Sequence, residues 1–194
     1  MLLIYTGGTI GMKQDVNDLT LKPFDFRQIL DEVPEIGKFA VKIDSFSFEP
    51  PIDSSDVEPT LWVKLASLIK ERYDDYDGFI VLHGTDTMAY SASALSFMLD
   101  GLTKPVVFTG SQLPIGVPRT DGRENLISAV EIASAKNSSG HPEVPEVCVC
   151  FASMLIRGNR ATKVNSEGFR AFQSPNFPPL AEAGISIRYN TEYI

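Results

Sequence analysis

Three short apolar runs end in the same kind of turn, and this limits the fold more than any other feature of the chain. Leu2 to Tyr5 leads into Thr6-Gly7-Gly8-Thr9. Gly78 to Leu82 leads into His83-Gly84-Thr85-Asp86-Thr87, and Pro105 to Phe108 into Thr109-Gly110-Ser111-Gln112. Short apolar runs closed by glycine read as strands buried on both faces. Val147 to Phe151 reads as a fourth, Phe39 to Phe48 as a bulged strand, and Gly184 to Arg188 as one more. Between them lie helical patterns at Phe24 to Val33, Pro59 to Asp74, Met88 to Leu99 and Asn125 to Lys136. Leu61, Leu65, Leu68 and Ile69 fall at helical spacing, and Pro59 suits a first turn. Strand and helix in alternation predict an α/β fold of three layers. It is an open, mostly parallel sheet with helices on both faces.

In such a sheet the carboxyl ends of the strands share one edge, where ligands bind. The three Gly-plus-hydroxyl turns therefore meet in space, and Pro51-Ile52-Asp53-Ser54-Ser55-Asp56 reaches the same edge. Taken singly, each segment has a plainer reading. Asp86 or Thr87 suits the cap of one helix and Asp56 that of another. Recurrence at three strand ends favours a shared polar site.

The chemistry open to that site narrows by elimination. No GxxxxGK[ST] loop, GxGxxG fingerprint or GxSxG elbow occurs. The two histidines and the pair Cys148 and Cys150 form no metal-ligand pattern. His83 follows an apolar strand and reads as a hydrogen-bonded structural histidine, while the cysteines read as small core residues of one strand. Hydroxyl nucleophiles, carboxylates and one lysine remain. A threonine attacks only when a neighbour takes its proton, and a lysine held by a carboxylate can do so. Lys163, in Arg157-Gly158-Asn159-Arg160-Ala161-Thr162-Lys163, lies beyond the fourth strand, where a solvated basic loop is the plainer reading. The formal charge of −8 argues against a nucleic-acid partner, which needs a basic face. No apolar run suits a membrane span or a signal-peptide core.

Thr6-Gly7-Gly8-Thr9-Ile10, His83-Gly84-Thr85-Asp86-Thr87-Met88 and Thr162-Lys163 together resemble the bacterial L-asparaginase family. The segments Ile52-Asp53-Ser54-Ser55-Asp56 and Arg157-Gly158-Asn159-Arg160 are similar to its cytoplasmic type I branch. The resemblance covers essentially the whole chain. It implies a cytoplasmic amidohydrolase that converts asparagine and water to aspartate and ammonia without metal or cofactor. Thr9 would be the nucleophile. Thr85, Asp86 and Lys163 would form a second group in which Lys163 takes a proton through Thr85 and Asp86 orients the lysine. Asp53 and Ser54 would hold the substrate's α-carboxylate, Asp86 would attract its α-ammonium, and the backbone of Ser111 would lie near the leaving amide. Thr162 falls at a position that contributes to an allosteric asparagine site in type I members.

Two departures accompany the resemblance. Lys13 to Lys22, the loop after the first strand, lacks the tyrosine that closes over the substrate in the family. The chain also stops at Ile194, about where the family's smaller C-terminal domain would follow. Residues 1–194 are then the N-terminal catalytic domain, weakly active or inactive alone. The full-length family member would be a homodimer or homotetramer, with each site completed by a neighbouring subunit. Two other readings share these residues: a non-catalytic domain for amino-acid binding or assembly, and a glutamine-hydrolysing amidotransferase subunit.

Overall fold

A computed structural model describes residues 1–14, 21–23, 29 and 31–194. The strands are β1 (Leu2–Tyr5), β2 (Met12–Gln14), β3 (Leu21–Pro23), β4 (Asp44–Ser47), β5 (Phe79–Leu82) and β6 (Val106–Thr109). They continue as β7 (Val147–Phe151), β8 (Met154–Arg157), β9 (Thr162–Lys163), β10 (Phe172–Gln173), β11 (Ala181–Ala183) and β12 (Ile187–Tyr189). Helices with described bounds are α1 (Pro59–Glu71), α2 (Met88–Met98) and α3 (Gly122–Ser134). Among the described residues, eight strands form one sheet in the order β12-β11-β8-β7-β6-β5-β1-β4. The β7-β6-β5-β1-β4 portion is parallel, and β8, β11 and β12 add an antiparallel flank.

Alternation along the central strands builds a core on each face. Leu3, Tyr5, Ile80, Leu82, Val107, Cys148 and Cys150 pack with Leu126, Ala129, Val130 and Ala133 of α3. Leu2, Ile4, Phe79, Val81, Val106, Phe108 and Val149 pack with Leu65 and Ile69 of α1 and Met88, Ala92 and Leu95 of α2. Burying each such Leu, Ile or Phe stabilises the fold by roughly 1.5–3 kcal/mol. The three expected layers are therefore present, and both cysteines are free and buried on one face.

The helices differ in how they pack. Proline opens α1, whose buried stripe is Leu61, Leu65, Ala66 and Ile69. By contrast α2 is rich in Ala and Ser, and this lets backbone come close. A Cβ on Gly158 would lie 2.7 Å from Ser96 Oγ and 3.0 Å from the Ala92 carbonyl oxygen. The one-turn helix Gly158–Arg160 thus sits directly on α2 and aims the following β9 toward the strand ends.

Several elements depart from the sequence expectations. Only Asp44–Ser47 of the run Phe39 to Phe48 is strand, while Pro34–Lys38 forms a short 3-10 helix. Gly184 to Arg188 is not one strand, because Gly184, Ile185 and Ser186 turn between β11 and β12. The segment before Lys163 is not a free loop: β8 pairs with β7, and β9 pairs with β10. The expected helix over Phe24 to Val33 lies largely outside the described residues, as does most of the loop from Lys13 to Lys22. Among the described residues, no helix is long and apolar enough to cross a membrane.

Candidate active site

Register brings the three turns side by side. Tyr5 pairs with Leu82, and Leu82 with Thr109, so the turns after β1, β5 and β6 leave the sheet at one level. From β1 the chain proceeds to β4 on one side, and from β5 it proceeds to β6 on the other. The crevice between β1 and β5 is therefore a topological switch point, where open α/β sheets bind ligands.

Glycines make the close approach possible. Gly8 has φ 91°, in the left-handed region, and a Cβ there would lie 2.5 Å from Gly84 Cα. A Cβ on Gly84 would lie 2.5 Å from both Cβ and Oγ of Ser54. The backbones of the turns bearing Thr9 and Thr85 therefore touch, and the Ser54 side chain rests on Gly84. Thr9 opens a one-turn 3-10 helix, Thr9–Gly11, immediately beside this contact.

Around Thr85 the contacts are made by side chains. Lys163 Nζ donates to Asp86 Oδ1 at 2.7 Å and to Thr85 Oγ1 at 2.9 Å. The lysine side chain is only 16% exposed, whereas that of Asp86 is 60% exposed. The hydrogen bond from Lys163, reinforced by its charge and by a 3.2 Å bond from Ser54 Oγ, holds the Asp86 carboxyl below its ordinary range. Thr87 Oγ1 donates to the Ser54 carbonyl at 2.6 Å and fastens the two turns together.

Gln112 was not among the residues assigned a role from sequence, although it stands in the third turn. Its Nε2 donates to the carbonyls of Ser166 and Gly168 at 3.0 and 3.1 Å. Its Oε1 must then face Thr85, which donates to it at 3.1 Å. Hence in this state the Thr85 proton points to Gln112, and Lys163 is donor to Thr85.

The remaining expected residues lie at the same edge with other partners. Ser54 is buried. Asp53 accepts the Ser55 N–H and hydroxyl, both at 2.8 Å, and these bonds hold its carboxyl below the usual range. Ser111 is buried and donates to the Leu113 carbonyl at 2.5 Å. Thr162 is exposed and pairs with Gln173 across β9 and β10. It lines a cavity of about 620 Å³ together with Tyr90, Asp86, Lys163 and Asn165.

His83 is buried and hydrogen-bonded through both ring nitrogens. Its Nδ1 lies 2.7 Å from the Gly84 carbonyl and its Nε2 lies 2.9 Å from Ser91 Oγ. Burial pushes the ring down to about 4, so it is neutral at ordinary pH.

Comparison with known proteins identifies the family and supports the fold. The family model described as "Asparaginase, N-terminal" matches residues 1–194. L-asparaginase 1 of Escherichia coli is 48% identical over 187 residues, covering 95% of this chain and 53% of that protein. The mouse protein named 60 kDa lysophospholipase is 41% identical over 215 residues, covering 100% of this chain and 37% of that one. The crystal structure of L-asparaginase I from Vibrio cholerae superposes with TM-score 0.83 at 42% identity, covering 100% of this chain and 56% of that chain. The chain thus spans about half the length of the E. coli relative and less of the mouse one.

Proposed function

Since the chain belongs to the asparaginase family and matches its N-terminal model throughout, we propose that it is the catalytic part of a cytoplasmic L-asparaginase. The observation that carries this reading is the Lys163–Thr85–Asp86 cluster, on a turn whose Gly84 packs against Gly8 beside Thr9. It joins one threonine hydroxyl to a lysine that a carboxylate orients.

Thr9 Oγ1 attacks the side-chain carbonyl carbon of asparagine. The amide nitrogen leaves as ammonia after taking a proton, and water then cleaves the acyl-threonine to give aspartate and free Thr9. To accept a proton through Thr85, a neutral Lys163 needs the Thr85 hydroxyl to turn from Gln112 toward it, while Asp86 keeps the lysine in place. Backbone N–H groups beside Thr9 and Thr85 receive the developing oxyanion, a contribution often worth ~10²–10³ in rate per donor. The Ser54 hydroxyl, once turned from Asp86, and the N–H groups of the turn around Asp53 suit the α-carboxylate, since the Asp53 carboxylate is turned onto Ser55. Asp86 suits the α-ammonium, and the Ser111 backbone lies by the leaving amide. Thr162 belongs to a second, regulatory asparagine site, and a neighbouring subunit of a dimer or tetramer completes each active site. The test is ammonia release from asparagine by the full-length protein and by Thr9→Ala; equal rates would remove the nucleophile assignment.

A further inference from the structure

His83 takes no part in that reaction, yet it lies under the turn that does. Its ring is held by a chain of donors with one permitted direction. Trp62 Nε1 is only a donor, and it gives its hydrogen to Ser91 Oγ at 2.9 Å. Ser91 Oγ is therefore free to donate to His83 Nε2, 2.9 Å away. The other ring nitrogen, Nδ1, faces a carbonyl oxygen, which can only accept. The consistent arrangement is a neutral ring with its proton on Nδ1 and a bare Nε2.

That proton holds the Gly84 carbonyl at 2.7 Å. In a trans peptide the carbonyl and the next N–H point in opposite directions. Drawing the Gly84 oxygen inward to a buried ring thus turns the Thr85 N–H outward, toward the crevice. The hold is rigid, because Ser91 is fully buried and His83 is 1% exposed. The backbone of His83 is also fixed, its N–H donating to the Thr109 carbonyl at 2.9 Å.

We propose that His83 is a positioning residue: locked in one tautomer by Ser91 and Trp62, it aims the Thr85 backbone N–H at the carbonyl oxygen of the bound amide. The assignment rests on the reading of Thr85 as a site residue. Trp62 on α1 and Ser91 on α2 then bear on the reaction without touching substrate.

The chain has two histidines, so nitrogen-15 NMR with His141→Gln as the assignment control reads the His83 ring directly. In the native protein near neutral pH, the expected result is a proton on Nδ1 and none on Nε2. Ser91→Ala should populate both tautomers. In the full-length protein it should lower kcat for asparagine about tenfold while KM stays within about twofold, a fraction of the loss from removing an oxyanion donor outright. Trp62→Phe, a milder change, should lower kcat in the same sense by less. A proton on Nε2 in the native protein overturns the proposal. So does native kcat in both variants alongside a lowered melting temperature, the pattern of a merely structural histidine. The two failures are separable: absence of ammonia release from asparagine removes the proposed function, while the ring proton still decides whether His83 holds the Gly84 carbonyl.

Discussion

The turns after β1 and β5 face each other across one crevice but are held by different means. The β1 turn is placed chiefly by close backbone approach: Gly8, at positive φ, rests against the Gly84 backbone, while the Tyr5 and Thr6 hydroxyls only tie it to the Gly8 and Leu82 carbonyls. The β5 turn is wired by polar side chains, with Lys163, Gln112, Ser54 and His83 each bonded to it. Steric placement responds to an added methyl group and is indifferent to pH. Polar placement responds to charge and tolerates small changes of volume. A site built from both keeps its nucleophile in a fixed position while the proton-handling side stays adjustable.

The sharpest way to break the contrast is Lys163→Met in the full-length protein. Asparagine turnover should fall by about 10³-fold, since the proton acceptor is gone. Folding stability should change by less than about 1 kcal/mol, because the partner carboxylate is mostly exposed. Steady-state kinetics with urea denaturation checks both halves. Gly8→Ala should show the opposite pattern, a stability loss of about 3 kcal/mol or more from strained φ and a backbone clash, read from the urea midpoint.

Acid should act on the wired turn next. In the unfolded chain His83 takes a proton near 6.5, whereas the folded ring holds off until about 4. Between those values the unfolded state binds the extra proton, so stability is full above the upper value and lost as pH falls toward the lower one. The loss from this group is about 3 kcal/mol, to be read from urea midpoints across that range and to vanish in His83→Asn. The smallest effect expected is at Asp53. Ser55→Ala removes one of its hydrogen bonds and should let the carboxyl titrate nearer its ordinary range, followed by NMR with activity little altered.

Strands β1, β5 and β6 were legible because they are buried on both faces and lead into glycine turns. The antiparallel flank was not, for a local reason. The turn from β7 to β8 is made by Ala152 and Ser153 at φ 48° and 66°, so no Gly, Asn or Pro marks it. Strands β11 and β12 have three residues each, too few for a period to show. That flank delivers Lys163, which is why the lysine's place came only from resemblance and not from spacing. Gln112 was visible as a turn residue, but its role depends on carbonyls of residues 166 and 168, more than fifty positions away.

The two cysteines have a practical consequence. Cys148 and Cys150 lie on β7, between β6 and β8, and burial raises both thiols, Cys150 to about 12. A thiol reagent can reach them only after the middle of the sheet has opened. Their rate of labelling is therefore an intrinsic clock for global unfolding, usable on the native sequence without dye, tag or added tryptophan. Slow release of both thiols together would report one cooperative sheet, and staggered release would show β8 peeling from β7 first.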